Sequence, residues 1–227
     1  MIISSKINKS KWIWIKIPKT GSRAYSKLLV PDGEDELIQD ENRLFHFHFT
    51  FSHLYTHHQK KYTGFTVVRH PVTRFISALN HLADLNFQCV TPNCINHPGK
   101  LPFNNIDSLV EFVYDNFHKN CLPKNNASFK EIFGVDFTNF YDSFFKTQTF
   151  WAYHPKMKWF FYEELDTFNN WLQTTLGVDT KHIERVGEIK KKHLEHLDFN
   201  SPKFIKMVEY LFYDDYKIYG YTPKYTG

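Results

Sequence analysis

Residues Lys11 to Ile17 interleave Trp and Ile with Lys, a pattern that predicts a strand ending at Pro18 before a glycine-containing turn. A helix is expected from about Ser22 to Val30, stopped by the turn chemistry of Pro31-Asp32-Gly33. Leu44 to Phe49 alternates His with aromatics, giving a second short strand, and a polar, His-rich stretch runs on to Lys60. Phe65 to Val68 is a compact apolar strand that stops at Arg69, and Pro71 sits where the first turn of a helix tolerates it. From Val72, the residues Phe75, Ile76, Leu79 and Leu82 recur at helical spacing, which leaves Thr73, Ser77 and Asn80 or His81 on another face. Phe87 to Pro102 reads as loop. Further helical patterns lie at Ile106 to Phe117 and near Tyr141 to Trp151. Lys158 to Tyr162 reads as a strand feeding a helix near Leu165 to Leu176 that Gly177 closes, and a last helix is expected over Pro202 to Tyr213. Strands alternating with helices imply an α/β fold with a central, mainly parallel sheet flanked by helices.

A chain of 227 residues suffices for one large domain or a tight pair of small ones, and a single domain over residues 1–227 is the working expectation. The 42% hydrophobic and 23% charged fractions exclude disordered and fibrous classes. Net charge is +4 without a basic arm, so no nucleic-acid partner is expected, although a local anion site remains open. No apolar run is long enough to span a bilayer, and Met1 to Lys11 is too polar for a signal peptide, which points to a cytoplasmic location. Cys89, Cys94 and Cys121 are an odd number; a Cys89–Cys94 closure and reduced thiols both stay open. Composition sets no oligomeric state.

Chemistry concentrates first in Ile17-Pro18-Lys19-Thr20-Gly21-Ser22-Arg23-Ala24, where a strand hands over to a helix N-terminus. Unpaired N–H groups leave such a helix start, Gly21 permits close approach, and the hydroxyls of Thr20 and Ser22 add donors, so the segment suits an anion. Lys19 would bring positive charge to an oxygen that becomes anionic as a bond breaks. The alternative is an ordinary turn with a solvated lysine. The order is not that of a Walker A loop, because Lys19 precedes the glycine.

The second constellation is Phe65-Thr66-Val67-Val68-Arg69-His70-Pro71-Val72-Thr73-Arg74-Phe75-Ile76-Ser77-Ala78. Arg69 leaves the carboxyl end of a buried strand, the edge at which open α/β sheets bind ligands. Its guanidinium can hold a phosphate bidentately, and Ser77 on the following helix could donate to the same group. A capped helix start is the plain alternative, and Arg74 reads equally as a surface or an ion-pairing residue.

Together the two segments resemble the sulfotransferases that use 3′-phosphoadenosine-5′-phosphosulfate (PAPS), particularly the branch of carbohydrate enzymes with bacterial or viral relatives. The resemblance extends through Gln148 to Trp151, the segment Trp159-Phe160-Phe161-Tyr162-Glu163-Glu164-Leu165, and a terminal tyrosine-rich run ending at Tyr221. Residues 84–126 have no counterpart and read as an insertion near the acceptor site. The resemblance implies a P-loop-like three-layer fold. It also implies a donor site in which Pro18, Lys19, Thr20, Gly21, Ser22, Arg23 and Ala24 wrap the 5′-phosphosulfate. Lys19 would touch the bridging oxygen, and Arg69 and Ser77 would hold the 3′-phosphate. Arg185, opening Arg185 to Lys192, stands where the family places a late loop over the nucleotide; three successive lysines there also suit a solvated face. Gln148 and Trp151 would line the acceptor cleft, with core packing an equal reading for Trp151.

His46-Phe47-His48 is the third constellation, and on a strand both imidazoles face one side. An acceptor hydroxyl needs a base near neutrality, and the segment resembles the His-x-His stretch of uronosyl 2-O-sulfotransferases; this implies His48 as base with His46 supporting it. A hydrogen-bonded core pair is the alternative. Zinc is a further reading, since His46, His48, His53 and His57 include a helical i, i+4 pair, but no carboxylate or thiolate partner is evident and no metal is expected. The implied reaction is transfer of a sulfuryl group from PAPS to a hydroxyl acceptor, a carbohydrate in the first instance, leaving 3′,5′-adenosine bisphosphate. A tyrosine or small-alcohol acceptor, a silent nucleotide- or glycan-binding module, and a nucleotide kinase are the rivals.

Overall fold

The computed structural model describes residues 2–29, 62–84, 105–111, 145–181, 183, 194 and 197–223. Its strands are β1 (Ile2–Ser4), β2 (Lys11–Trp14), β3 (Thr63–Val68) and β4 (Met157–Phe161), side by side in that order. β1 runs antiparallel to β2, whereas β2, β3 and β4 are parallel, which confirms the mainly parallel sheet of an α/β chain. β1 was not expected; three residues are too few to display an alternation. The ladder continues past β2, since the Ile15 N–H donates to the Phe65 carbonyl at 3.0 Å and the Thr66 hydroxyl donates to the Ile15 carbonyl at 2.7 Å.

The chain divides into two units, Met1–Arg69 with Phe150–Glu188, and His70–Thr149 with Ile189–Gly227. The first holds the sheet, α1 (Ser22–Leu29), and part of α3 (Gln148–Ala152), and α4 (Leu165–Trp171), whose last turn widens to a π-helix at Leu172–Leu176 and stops at Gly177, as expected. Period-two alternation sends Trp14, Phe65, Val67 and Phe160 to one face, where Tyr25 of α1 and Phe168 and Trp171 of α4 complete a core. Its rings meet closely, with 4.9 Å between centroids for Phe65–Trp171, Phe160–Trp171 and Phe160–Phe168. Aromatic residues make up 18% of the chain, and here they find a structural use. The Tyr25 hydroxyl donates to Asn169 Oδ1 at 2.8 Å and so ties α1 to α4. On the other face Ile13, Ile15, Gly64, Thr66 and Val68 are equally shut from solvent.

The second unit is built on α2 (Pro71–Asp84), a helical stretch at 106–111, α5 (Pro202–Leu211) and α6 (Tyr213–Tyr219). The helical positions Val72, Phe75, Ile76 and Leu79 face Phe204, Met207, Val208 and Leu211 in its core, as the spacing predicted. The single helix expected to Tyr213 ends at Leu211, and a separate α6 follows after Phe212. Arg74 is buried at 1% exposure, so the surface reading of this residue is overturned.

Candidate functional site

The register places the candidate residues of the first unit. Because Val68 pairs with Phe161 in parallel strands, Arg69 and Tyr162 leave neighbouring carboxyl ends together, and Trp14, paired with Phe65, leads into the 15–21 loop at that same edge. The loop then turns into α1, whose first turn carries no acidic residue that would compete for an anion.

Two loop residues take left-handed backbone angles, Lys19 at φ 67° and Gly21 at φ 79°. For a lysine this conformation costs about 1–2 kcal/mol and needs support from its surroundings. Arg69 supplies it: its guanidinium donates from Nη1 to the Lys19 carbonyl at 3.2 Å. Arg69 is only 7% exposed, and its guanidinium lies over the Tyr162 ring at 4.3 Å from its centroid, a cation–π contact. The same ring closes on Gly21, where a built Cβ would stand 2.9 Å from Cε2 and 3.3 Å from Cδ2 of Tyr162. A side chain is therefore excluded at Gly21 both by its backbone angle and by Tyr162. One tyrosine thus joins the two motifs: Gly21 from the first and Arg69 from the second.

Thr20 plays a different part from the one its sequence suggested. Its hydroxyl donates to the Ile17 carbonyl at 2.9 Å in a buried position, so it braces the turn instead of presenting a donor at the loop's mouth. Ser22 opens α1, half-buried, with its carbonyl taking the Ser26 hydroxyl at 2.8 Å, and the Ala24 N–H donates to the Gly21 carbonyl at 3.2 Å. Pro18 is buried and Lys19 half-buried beside it. Arg23 belongs to α1 by its backbone. Ser77 stands half-buried on α2 in the second unit.

The strand expected at Leu44 to Phe49, His46, His48, His53, His57, Cys89, Cys94, Cys121, Arg185 and Lys190 to Lys192 lie outside the described residues, as does most of 84–126. Among the described residues no three His, Cys, Asp or Glu side chains gather as a metal would require.

In the second unit the terminal tyrosine-rich run turns out to carry a buried acid. Asp215 is fully buried and accepts the backbone N–H groups of Gln148 and Thr149, each at 2.9 Å, and the Gln148 side-chain amide at 3.3 Å. It thereby holds the start of α3, and Gln148, expected in an acceptor cleft, is fully buried in this cap. Burial pushes the Asp215 carboxyl above the usual carboxylate range, opposed by the Arg74 charge and by the three donors. Burial likewise raises the hydroxyls of Tyr216 and Tyr219. Trp151, 5% exposed, packs edge-on against Phe150 at 5.2 Å, in keeping with core packing. The Asp215 cap was not legible in the sequence, because a capping acid 67 residues from Gln148 leaves no local spacing signal.

A mainly parallel sheet whose carboxyl edge carries a glycine turn, a left-handed lysine and a buried arginine defines an α/β protein with its candidate site at that edge. The Sulfotransferase family model matches residues 7–222, nearly the whole chain. The chain belongs to the sulfotransferase family, whose members transfer sulfuryl groups. No curated protein and no solved structure matches it. No described helix is long and apolar enough to cross a membrane.

Proposed function

We propose that the protein is a PAPS-dependent sulfotransferase acting on a hydroxyl of a carbohydrate. The observation that carries this reading is the buried Arg69, fixed by the Lys19 carbonyl and the Tyr162 ring beside the Gly21 turn. A buried arginine next to a turn with no room for a side chain at Gly21 suits a phosphate-rich ligand better than a solvated turn does.

In this reading Arg69 and Ser77 hold the 3′-phosphate, while Pro18, Lys19, Gly21, Ser22, Arg23 and Ala24 surround the 5′-phosphosulfate on a turn that the Thr20 hydroxyl braces, with Arg185 from the late loop over the nucleotide. PAPS supplies an activated sulfuryl group. The acceptor oxygen forms a bond to sulfur as the bond from sulfur to the bridging oxygen breaks, and 3′,5′-adenosine bisphosphate departs. His48 takes the acceptor's proton, with His46 in support, and Lys19 meets the charge that develops on the bridging oxygen. No metal is needed, because fixed donors can meet charge spread over the sulfuryl oxygens. The whole chain acts as one functional domain, in the cytoplasm.

Isothermal titration of 3′,5′-adenosine bisphosphate without added metal tests the donor site. The wild type should bind, and Arg69→Ala should bind roughly 10- to 100-fold more weakly, the worth of charge-assisted bonds. No binding to the wild type overturns the proposal. With binding in hand, labelled PAPS offered to sugars, tyrosine peptides and simple alcohols separates the acceptor classes, and His48→Ala should abolish turnover while leaving bisphosphate binding intact.

A further inference from the structure

His70 is the residue immediately after Arg69, and its ring makes a set of contacts that a helix start alone does not call for. Nδ1 accepts the Val72 N–H at 3.3 Å, which makes His70 the N-cap of α2, and its carbonyl takes the Thr73 hydroxyl at 3.0 Å and the Arg74 N–H at 2.9 Å. Since Nδ1 accepts, the ring proton sits on Nε2, which donates to the Thr222 carbonyl at 2.8 Å. The ring also stands edge-on between Tyr216, at 5.7 Å between centroids, and Tyr221, at 5.2 Å. Gly220, left-handed at φ 71°, ends α6 and turns the chain that carries Tyr221 and Thr222 to the imidazole.

We propose that His70 is a positioning residue, a latch by which the C-terminal segment 219–222 steadies the turn that carries Arg69 and so tunes affinity for the nucleotide. The inference rests on the reading of Arg69 as a phosphate ligand. The two ring nitrogens do separate jobs, and each can be kept without the other. In His70→Asn, Oδ1 can still accept the Val72 N–H, but the side chain is too short to reach Thr222. In His70→Gln, the longer amide can still donate to the Thr222 carbonyl, while the cap is lost.

The test measures binding of 3′,5′-adenosine bisphosphate and thermal unfolding on the full chain, for the wild type and both variants. His70→Asn should keep a melting temperature near that of the wild type and bind about three- to tenfold more weakly, the worth of one hydrogen bond. His70→Gln should lose melting temperature yet bind within about twofold of the wild type once folded. Amide hydrogen exchange at 219–222 should rise in His70→Asn and not in His70→Gln. Wild-type affinity in His70→Asn overturns the latch and leaves the nucleotide reading standing; so does a parallel fall of affinity and melting temperature in both variants, which marks the lost ring packing against Tyr216 and Tyr221 and not the bond to Thr222. A wild type that does not bind overturns both.

Discussion

Gly21→Ala is the sharpest perturbation of the turn at the sheet's carboxyl edge, because it adds one methyl at a place where both backbone and space are committed. The backbone angle of +79° costs an L-residue roughly 1–2 kcal/mol, which in a chain of this size lowers the melting temperature by roughly 2–8 °C. The new Cβ would stand 2.9 Å from Cε2 of Tyr162, nearer than such atoms approach, so the ring must move. That ring lies 4.3 Å from the Arg69 guanidinium, and weakening the contact forfeits roughly 0.5–2 kcal/mol, a two- to thirtyfold loss of affinity for 3′,5′-adenosine bisphosphate. Titration calorimetry reads the affinity and scanning calorimetry the stability. The route can be tested apart from the size of the effect: in a Tyr162→Leu background the methyl has no ring to displace, so its affinity cost should shrink. Unchanged affinity and melting temperature in Gly21→Ala, or the same affinity cost with and without the Tyr162 ring, would refute this account of the turn.

Two further expectations concern the second unit. With its carboxyl raised by burial, Asp215 holds a proton in the folded state at pH values where the unfolded chain has released it; its stabilising contribution is therefore full below about pH 4 and declines as pH rises. Urea midpoints from pH 4 to 7 should show the advantage of the wild type over Asp215→Asn shrinking upward, and a growing advantage would contradict the direction of the shift. At Gly220 a Cβ would meet nothing within 4 Å, so Gly220→Ala carries only the strain of its left-handed angle, roughly 1 kcal/mol, and should lower the melting temperature by roughly 2–4 °C; a larger drop would mean that the segment beyond it is rearranged.

Much of this was legible in the sequence because breakers and periodicity coincided. Pro18 and Gly21 bounded a strand and a helix, Pro71 marked the first turn of α2, and Gly177 closed the helical run after β4. The motifs likewise picked out Lys19, Gly21 and Arg69 before any geometry was known. What escaped was long-range. Nothing near Thr20 announces that its hydroxyl turns back to Ile17, and nothing near Asp215 announces that it caps a helix beginning at Gln148. Tyr162 was visible only as one letter of a family segment; its task follows from the Val68–Phe161 register, which sets it beside Arg69. The α5–α6 break was hidden because apolar residues run on through Leu211 and Phe212, so periodicity alone shows no stop.

The interrupted path of the chain through its first unit bears on the order of events during synthesis. β3 is complete once Val68 has been made, but its neighbour β4 begins only at Met157, so one side of the strand waits while the whole intervening stretch emerges. Parallel pairing across such a separation is slow, because loop closure precedes any reward from the ladder. Until β4 arrives, Phe65 and Val67 lack Phe160, Phe168 and Trp171, the rings that cover them in the finished sheet. The nascent chain is therefore most exposed to misassociation between the emergence of β3 and that of α4, and a ribosome stalled in that interval would hold an apolar strand with one open edge.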